Sequence, residues 1–368
     1  MNDLLYEVAF SLLPGMGTNA AKQVLNQVGT SRQLFEIEVR KLKKVLGLRK
    51  NTYDALLNKE TLVQAEKIIE DCLKHDVQIL FLNHADYPLR LKQIADAPLV
   101  LYVKGNMTQV NQRAVAVVGT RKPTAYGKEQ TDLLVKALQA WNPVVVSGLA
   151  FGIDAQAHKA SLHHGLPTYA VLGSGVQQVY PPEHKDLACR ILEQQGAIMS
   201  EYPPFQKAEI YHFPERNRII AGLSEAVIVV EAASKGGALI TAQLANSYDR
   251  EVMAIPGHLN HKYSMGCNDL IKTNQAHLYT NIDDLVQLLN WDLSSAPVQT
   301  SMVMKDTSML SEHEKGVYEL LLKEDALPID EIAWKTSLTT SQTASILLNL
   351  EMMDYVKMLV GKKFKVKA

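Results

Sequence analysis

Hydrophobic and polar positions change rhythm twice along the 368-residue chain. Up to about His75 the apolar residues Val24, Leu25 and Val28, then Val63, Ile68, Ile69 and Leu73, recur at the spacing of amphipathic helices. That pattern breaks at Pro14-Gly15-Met16-Gly17. From Arg113 onward short apolar runs alternate with amphipathic segments, which predicts strands at 114–118, 144–147, 168–172, 197–200, 226–231 and 251–255 with helices between most of them. Runs that are apolar on both faces and joined by helices form a mostly parallel sheet covered on both sides. Ligands of such sheets bind beyond the C-terminal strand ends. After Trp291 the pattern fades into a Ser-, Thr- and Met-rich stretch with Pro297, predicted to be a linker. Helices opening at Leu310 and Pro328, a third over 340–352 and an alternating tail over 356–366 around Gly361-Lys362 predict a winged helix.

Composition narrows the class. Hydrophobic residues make up 47% of the chain, enough for buried cores, and the length suggests two or three domains. Lys and Arg number 38 against 39 Asp and Glu, so no whole-chain basic excess points to nucleic acid, and any basic site is local. Cys72, Cys189 and Cys267 lie far apart without a CxxC pair, which argues against a disulfide framework or a cysteine-rich zinc site and fits a reducing cytosol. The N-terminus lacks a basic n-region, and no apolar run approaches the roughly 18 residues of a membrane span. A cytoplasmic protein without membrane contact is expected.

Candidate chemistry gathers at the strand ends. Gly119-Thr120-Arg121-Lys122 follows the first strand of the sheet, Ser147-Gly148 leading to Gly152 the second, and Gly173-Ser174-Gly175 the third, while Lys235-Gly236-Gly237 precedes a later helix. Glycines at such turns turn backbone N–H groups and helix N-termini toward an anion, and Arg121, Arg216, Arg218 and Lys235 supply charge. A phosphate site is expected. The chain lacks GxGxxG after a strand, GxxxxGK[ST], GxSxG and HExxH, so ordinary dinucleotide, ATP, hydrolase and metalloprotease readings lose ground. No cofactor is expected. Asp154 and His158, four apart on a predicted helix, are either an acid–base pair or structural groups shaping the pocket. His258 and His261 form an HxxH without a third ligand nearby. The Leu-Pro-Gly-Met-Gly turn near the N-terminus reads either as a phosphate-binding helical hairpin or as an ordinary turn, and the basic run from Arg40 to Lys50 fits a solvated helix face as well as a binding one.

Val118-Gly119-Thr120-Arg121, Ser147-Gly148-Leu149-Ala150-Phe151-Gly152-Ile153-Asp154 with His158, Tyr180-Pro181, Ser200-Glu201, Phe213-Pro214-Glu215-Arg216-Asn217-Arg218-Ile219-Ile220, Gly237-Ala238-Leu239-Ile240-Thr241-Ala242 and Ile255-Pro256-Gly257 together resemble the DNA-processing protein A family, DprA, also called Smf. The resemblance spans about residues 81–288. Departures are His184 in the turn after Tyr180-Pro181, Lys235-Gly236-Gly237 where the family often has Ser-Gly-Ser, and Gln275-Ala276 in place of Gly-Ala.

The resemblance implies an extended Rossmann-like α/β domain over 76–293, flanked by a helical domain over 1–75 of SAM or helix-hairpin-helix type. A linker at 294–309 and a winged-helix-like domain at 310–368 complete the expected order. It implies a homodimer that binds and protects single-stranded DNA and helps load the RecA recombinase in natural transformation, without catalysis. The residues expected at the DNA are Gly119, Thr120, Arg121, Lys122, Ser147, Gly148, Gly152, Lys185, Arg216, Asn217, Arg218, Lys235, Gly236 and Gly237. Backbone N–H groups and cations at strand ends suit a single strand because they follow phosphates without reading sequence. The rival is a phosphoribohydrolase-type enzyme on a similar fold, with Glu201 or Glu231 assisting glycosidic cleavage.

Overall fold

The computed structural model describes residues 2–38, 48–108, 112–291, 310–323, 327–336, 338–353, 355–359 and 363–366. The expected linker at 294–309 and most of the basic run from Arg40 to Lys50 lie outside the described residues. The chain divides into two compact units, Met1–Ala296 and Pro297–Ala368.

Among the described residues, five helices open the first unit: α1 (Asn2–Ser11), α2 (Thr18–Val28), α3 (Ser31–Glu36), α4 (Lys50–Asn58) and α5 (Glu60–Lys74). Thr30 starts α3 with a capping box, accepting from Gln33 N–H at 3.2 Å while Gln33 Oε1 accepts from Thr30 N–H at 2.9 Å. On α5 the buried positions are Thr61, Ala65 and Cys72, whereas Val63 and Leu73 are 69% and 75% exposed. The expected apolar stripe of this helix therefore faces partly outward, and the small residues Thr61, Ala65 and Cys72 take the buried side. Phe10, Leu34, Phe81 and Leu101 belong to one continuous core, so the helices share their interior with the sheet. His84 ties them further: its Nδ1 accepts from Phe81 N–H at 3.2 Å, which leaves Nε2 to donate to Glu7 at 2.9 Å.

The sheet has nine strands: β1 (Gln78–Phe81), β2 (Val100–Gly105), β3 (Ala114–Val118), β4 (Val144–Ser147), β5 (Thr168–Val171), β6 (Ala197–Ser200), β7 (Ala226–Val229), β8 (Glu251–Ala254) and β9 (His277–Leu278). Their order is β1-β2-β6-β5-β4-β3-β7-β8-β9, parallel throughout except for β1–β2 and β2–β6, which are antiparallel. Between them run α6 (Leu89–Gln93), α7 (Ala125–Ala137), α8 (Ile153–His163), α9 (Lys185–Glu193), α10 (His212–Leu223), α11 (Gly237–Ser247) and α12 (Met265–Lys272), and α13 (Ile282–Leu288) closes the unit. All five residues of β3 are buried, and their alternation divides them between two cores: Ala114, Ala116 and Val118 face one, Val115 and Val117 the other. A strand with helices on both faces has no polar side to show, which is why its sequence is uniformly apolar.

The second unit contains α14 (Glu312–Lys323), β10 (Leu327–Pro328), α15 (Ile329–Thr336), α16 (Thr340–Met352), β11 (Val356–Leu359) and β12 (Lys363–Val366), with sheet order β10-β12-β11. It is a winged helix around Val317, Leu321, Ile332, Leu347, Leu350 and Phe364.

Candidate nucleic-acid interface

Strand order reverses at β3: β4 and β5 follow on one side, β7 and β8 on the other. The loops after β3 and β7 flank this switch point, where open α/β sheets take their ligands. Two glycines let neighbouring loops touch there. A Cβ on Gly119 would lie 2.6 Å from Ile153 Cγ1, and one on Gly152, whose φ is +88°, would lie 2.7 Å from Arg121 Cα. Thr120 is fixed from both sides, donating N–H to Glu231 O at 2.7 Å and accepting from Ile153 N–H at 3.1 Å. Lys122 N–H donates to Thr120 Oγ1 at 3.2 Å. The side chains of Arg121 and Lys122 stand exposed on this pinned backbone, with the Arg121 guanidinium 5.7 Å from the centre of the Phe213 ring.

Beneath Arg121 lies a buried polar layer. Arg216 is 4% exposed and its Nη1 donates to Gly148 O at 2.6 Å and to Val171 O. Gly148 N–H donates to Asp154 Oδ2 at 3.1 Å. A Cβ on Gly148 would lie 2.6 Å from the Arg216 guanidinium, so only glycine fits beside it. Burial pushes Arg216 down to about 10 and Asp154 upward, while the opposite charge of each resists the shift in the other. Arg216 at about 10 keeps its charge at neutral pH. Arg216 is thus a strut linking α10 to the ends of β4 and β5, and its place differs from the DNA contact expected from the sequence.

The reason is helical geometry: residues two apart on a helix point about 200° away from each other. Arg218 accordingly leaves on the other side of α10, where it pairs with Glu201 and donates to Asp96 O. Asn217, also buried, donates Nδ2–H to Gly237 O at 3.2 Å and holds the Gly236-Gly237 turn. Ser147 is fully buried with its hydroxyl donating to Val117 O at 2.7 Å, so only the backbone beyond it reaches the edge.

Asp154 and His158 do not form an acid–base pair. Nδ1–H of His158 donates to Thr168 Oγ1 at 2.7 Å, and that hydroxyl donates to Val145 O at 2.8 Å. Burial, with the charges of His184 and Arg216 adding to it, lowers His158 to about 3, so it is neutral at any physiological pH. Both glutamates of the enzymatic reading are engaged as well. The two carboxylate oxygens of Glu231 accept from Thr124 N–H at 2.9 Å and Thr124 Oγ1–H at 2.6 Å. Glu201 is held by Arg218, and burial raises its pKa.

What remains exposed at the strand ends is Arg121, Lys122, Lys185, Lys235, Gly236 and Gly237. Aromatic rings lie among these cations. Phe151 is 44% and Tyr180 48% exposed; Phe151 packs on His184 at 5.0 Å between ring centres and Tyr180 on Phe213 at 5.4 Å. These rings are not among the residues expected at the DNA from the sequence, although Phe151 adjoins Gly152 and Phe213 lies three residues before Arg216. His258 and His261 are exposed, and among the described residues no group of three or more His, Cys, Asp or Glu side chains is placed to hold a metal.

Comparison with known proteins decides the family. A family model described as DNA recombination-mediator protein A matches residues 78–290, and one for the DprA winged helix domain matches 306–362. The chain belongs to the DprA/Smf family. It is 30% identical to Protein Smf of Synechocystis sp. over 98% of both chains, and 42% identical to DNA processing protein DprA of Bacillus subtilis over 56% of this chain and 70% of that one. The X-ray structure of DprA from Streptococcus pneumoniae is 32% identical with a TM-score of 0.68, covering 78% of this chain and 97% of that one. A structure of DprA from Helicobacter pylori, described by its single-stranded DNA binding mode, is 30% identical with a TM-score of 0.52, covering 58% of this chain and 95% of that one. The range matched by the sheet-domain model, 78–290, spans the positions from Gly119 to Gly237. Among the described residues, no helix is long and apolar enough to cross a membrane.

Proposed function

We propose that this chain binds single-stranded DNA along the C-terminal edge of its sheet, through Arg121, Lys122, Lys185 and Lys235, the Gly236-Gly237 turn and the rings of Phe151, Tyr180 and Phe213. The observation that carries the reading is the exposed Arg121 held over Phe213 on a glycine-built edge, in a chain whose Helicobacter pylori relative is described as binding single-stranded DNA. Rings stack on splayed bases while cations follow phosphates, a combination that suits a single strand and not a paired duplex. The bound strand is shielded from nucleases, and a homodimer passes it to the RecA recombinase during natural transformation in the cytoplasm. No bond in the DNA is made or broken at this edge. A glycosidic hydrolase would need a free carboxylate there, whereas Glu231 and Glu201 are engaged by Thr124 and Arg218.

A salt titration with single- and double-stranded oligonucleotides tests the proposal. Single strands are expected to bind more tightly, with a log–log salt slope near −2.8 for four phosphate contacts at about 0.7 each. Equal affinity for both forms, or hydrolysis of a nucleotide by the pure protein, overturns it.

A further inference from the structure

The turn between β8 and α12 lies outside the Arg121 pocket. Its ends are firmly placed. Pro256 O accepts from Tyr126 O–H at 2.8 Å, Tyr263 O from Ala232 N–H at 2.7 Å, and the Asn268 side chain bonds both N–H and O of Gly257 at 3.2 and 3.0 Å. These contacts join the loops after β3, β7 and β8 into one surface, since Tyr126 opens α7 and Ala232 precedes the Lys235 turn. Between the pinned ends, His261 N–H donates to His258 O at 3.0 Å and closes a tight turn with Leu259 at its tip. Leu259 is 82% exposed, and His258, Asn260, His261 and Lys262 around it are exposed too.

Charge separates this surface from the rest of the molecule. Residues 119–127, 232–237 and 256–266 contain Arg121, Lys122, Lys235 and Lys262 and no Asp or Glu, in a chain whose net charge is −1. Neighbouring strands lie about 4.8 Å apart, so the loops after β3 and β8 are separated by only about 10 Å. A strand held at Arg121 and Lys235 thus meets the β8–α12 turn next. The turn offers an apolar side chain for a base, imidazoles that stack or donate, and an ammonium for a phosphate.

We infer that the turn His258-Leu259-Asn260-His261-Lys262 is a further contact for single-stranded nucleic acid, extending the path from the Arg121 pocket across β7 to β8. The inference rests on the single-strand reading of the edge and adds a segment to it. Its contact is made only by strands long enough to leave the pocket.

The test uses the full chain with a short oligothymidylate that fills the Arg121 pocket and a longer one that overruns it. Leu259→Ser combined with Lys262→Gln is expected to weaken the long oligonucleotide about tenfold and flatten its salt slope by about 0.7, leaving the short one and the Tm unchanged. Arg121→Ala weakens both. If the double variant binds the long oligonucleotide with wild-type affinity and slope while Arg121→Ala still weakens it, the turn is not on the path and the edge reading stands. If neither variant alters binding, the strand lies elsewhere and both readings fall. A double variant in His258→Gln and His261→Gln provides the second check, and an unchanged long-oligonucleotide affinity there removes the imidazoles from the contact.

Discussion

Arg121 and Arg216 carry the same guanidinium but have opposite consequences when removed. Arg121 is exposed over Phe213, so Arg121→Ala should leave the Tm within a degree or two and flatten the single-strand salt slope by about 0.7. Arg216 is buried against Asp154 and two carbonyls, and its loss leaves those groups unpaired at a cost of about 3 kcal/mol, a fall in Tm on the order of 5 °C. Calorimetry and titration on both variants check the split; an Arg216→Ala protein as stable as the wild type would contradict the strut. His158 gives a test by pH. Its folded pKa of about 3 lies below the ordinary 6.5 of an unfolded histidine, so the unfolded chain binds the extra proton between those values. Stability from this group is complete above pH 6.5 and declines as pH falls through the window, by up to about 1.4 kcal/mol per unit. Asp154 and Glu201, raised by burial, act in the opposite sense, so the comparison needed is with His158→Gln. That variant should lose less stability than the wild type between pH 7 and pH 5, and equal losses would place the proton elsewhere. The sequence made Arg121 and the glycines legible because a strand-end turn dictates its own residue types. It did not distinguish Arg121 from Arg216, since which side of α10 faces the sheet depends on packing with α11 and β4.

At the scale of elements, the loop after β7 builds the site by anchoring the start of α7. Thr124 caps that helix by accepting from Gly127 N–H at 3.2 Å, and Glu231 in turn accepts from Thr124 through both oxygens. A carboxylate at a helix N-terminus is favoured by the helix dipole, and here it replaces water for a half-buried donor pair. Glu231→Ala should therefore destabilise the fold by about 2 kcal/mol and weaken DNA binding only as far as Arg121 is displaced. Gly127→Ala should do the same from the other side, because its Cβ would lie 2.5 Å from the Glu231 carboxyl carbon. Thermal melts of both variants, with single-strand titration at a temperature where each is folded, check this; unchanged melts would remove Glu231 from its structural role. The six parallel strands from β3 to β8 were legible as apolar runs. The antiparallel β1 and β2 escaped notice, although residues 99–103 are continuously apolar and buried between β1 and β6. Two-residue β9 has no pattern to read, and its register comes only from pairing with β8.

For the molecule as a whole, the sequence divided the chain by changes of rhythm, but rhythm does not report how cores join. The N-terminal helices and the sheet share one interior through Phe10, Phe81 and Leu101, while the winged helix has its own core around Val317, Leu347 and Phe364. A chain ending at residue 296 should consequently fold, and the affinity question is what the winged helix adds. In helix-turn-helix proteins the second helix of the motif reads the duplex, with cations against its phosphates. Here that helix is α16, whose outward positions Ser341, Ala344, Ser345, Leu348 and Met352 include no Lys or Arg. Residues 310–368 hold eight Lys against nine Asp and Glu, so the unit has no net attraction for phosphate. Removing residues 297–368 should then lower single-strand affinity by less than tenfold, or about 1.4 kcal/mol, and leave the salt slope near that of the full chain. The isolated winged helix should bind duplex weakly, if at all, at physiological salt. A truncated protein that loses more than tenfold in affinity, or whose slope drops by more than one phosphate contact, would move the main electrostatic contact from the sheet edge to the winged helix.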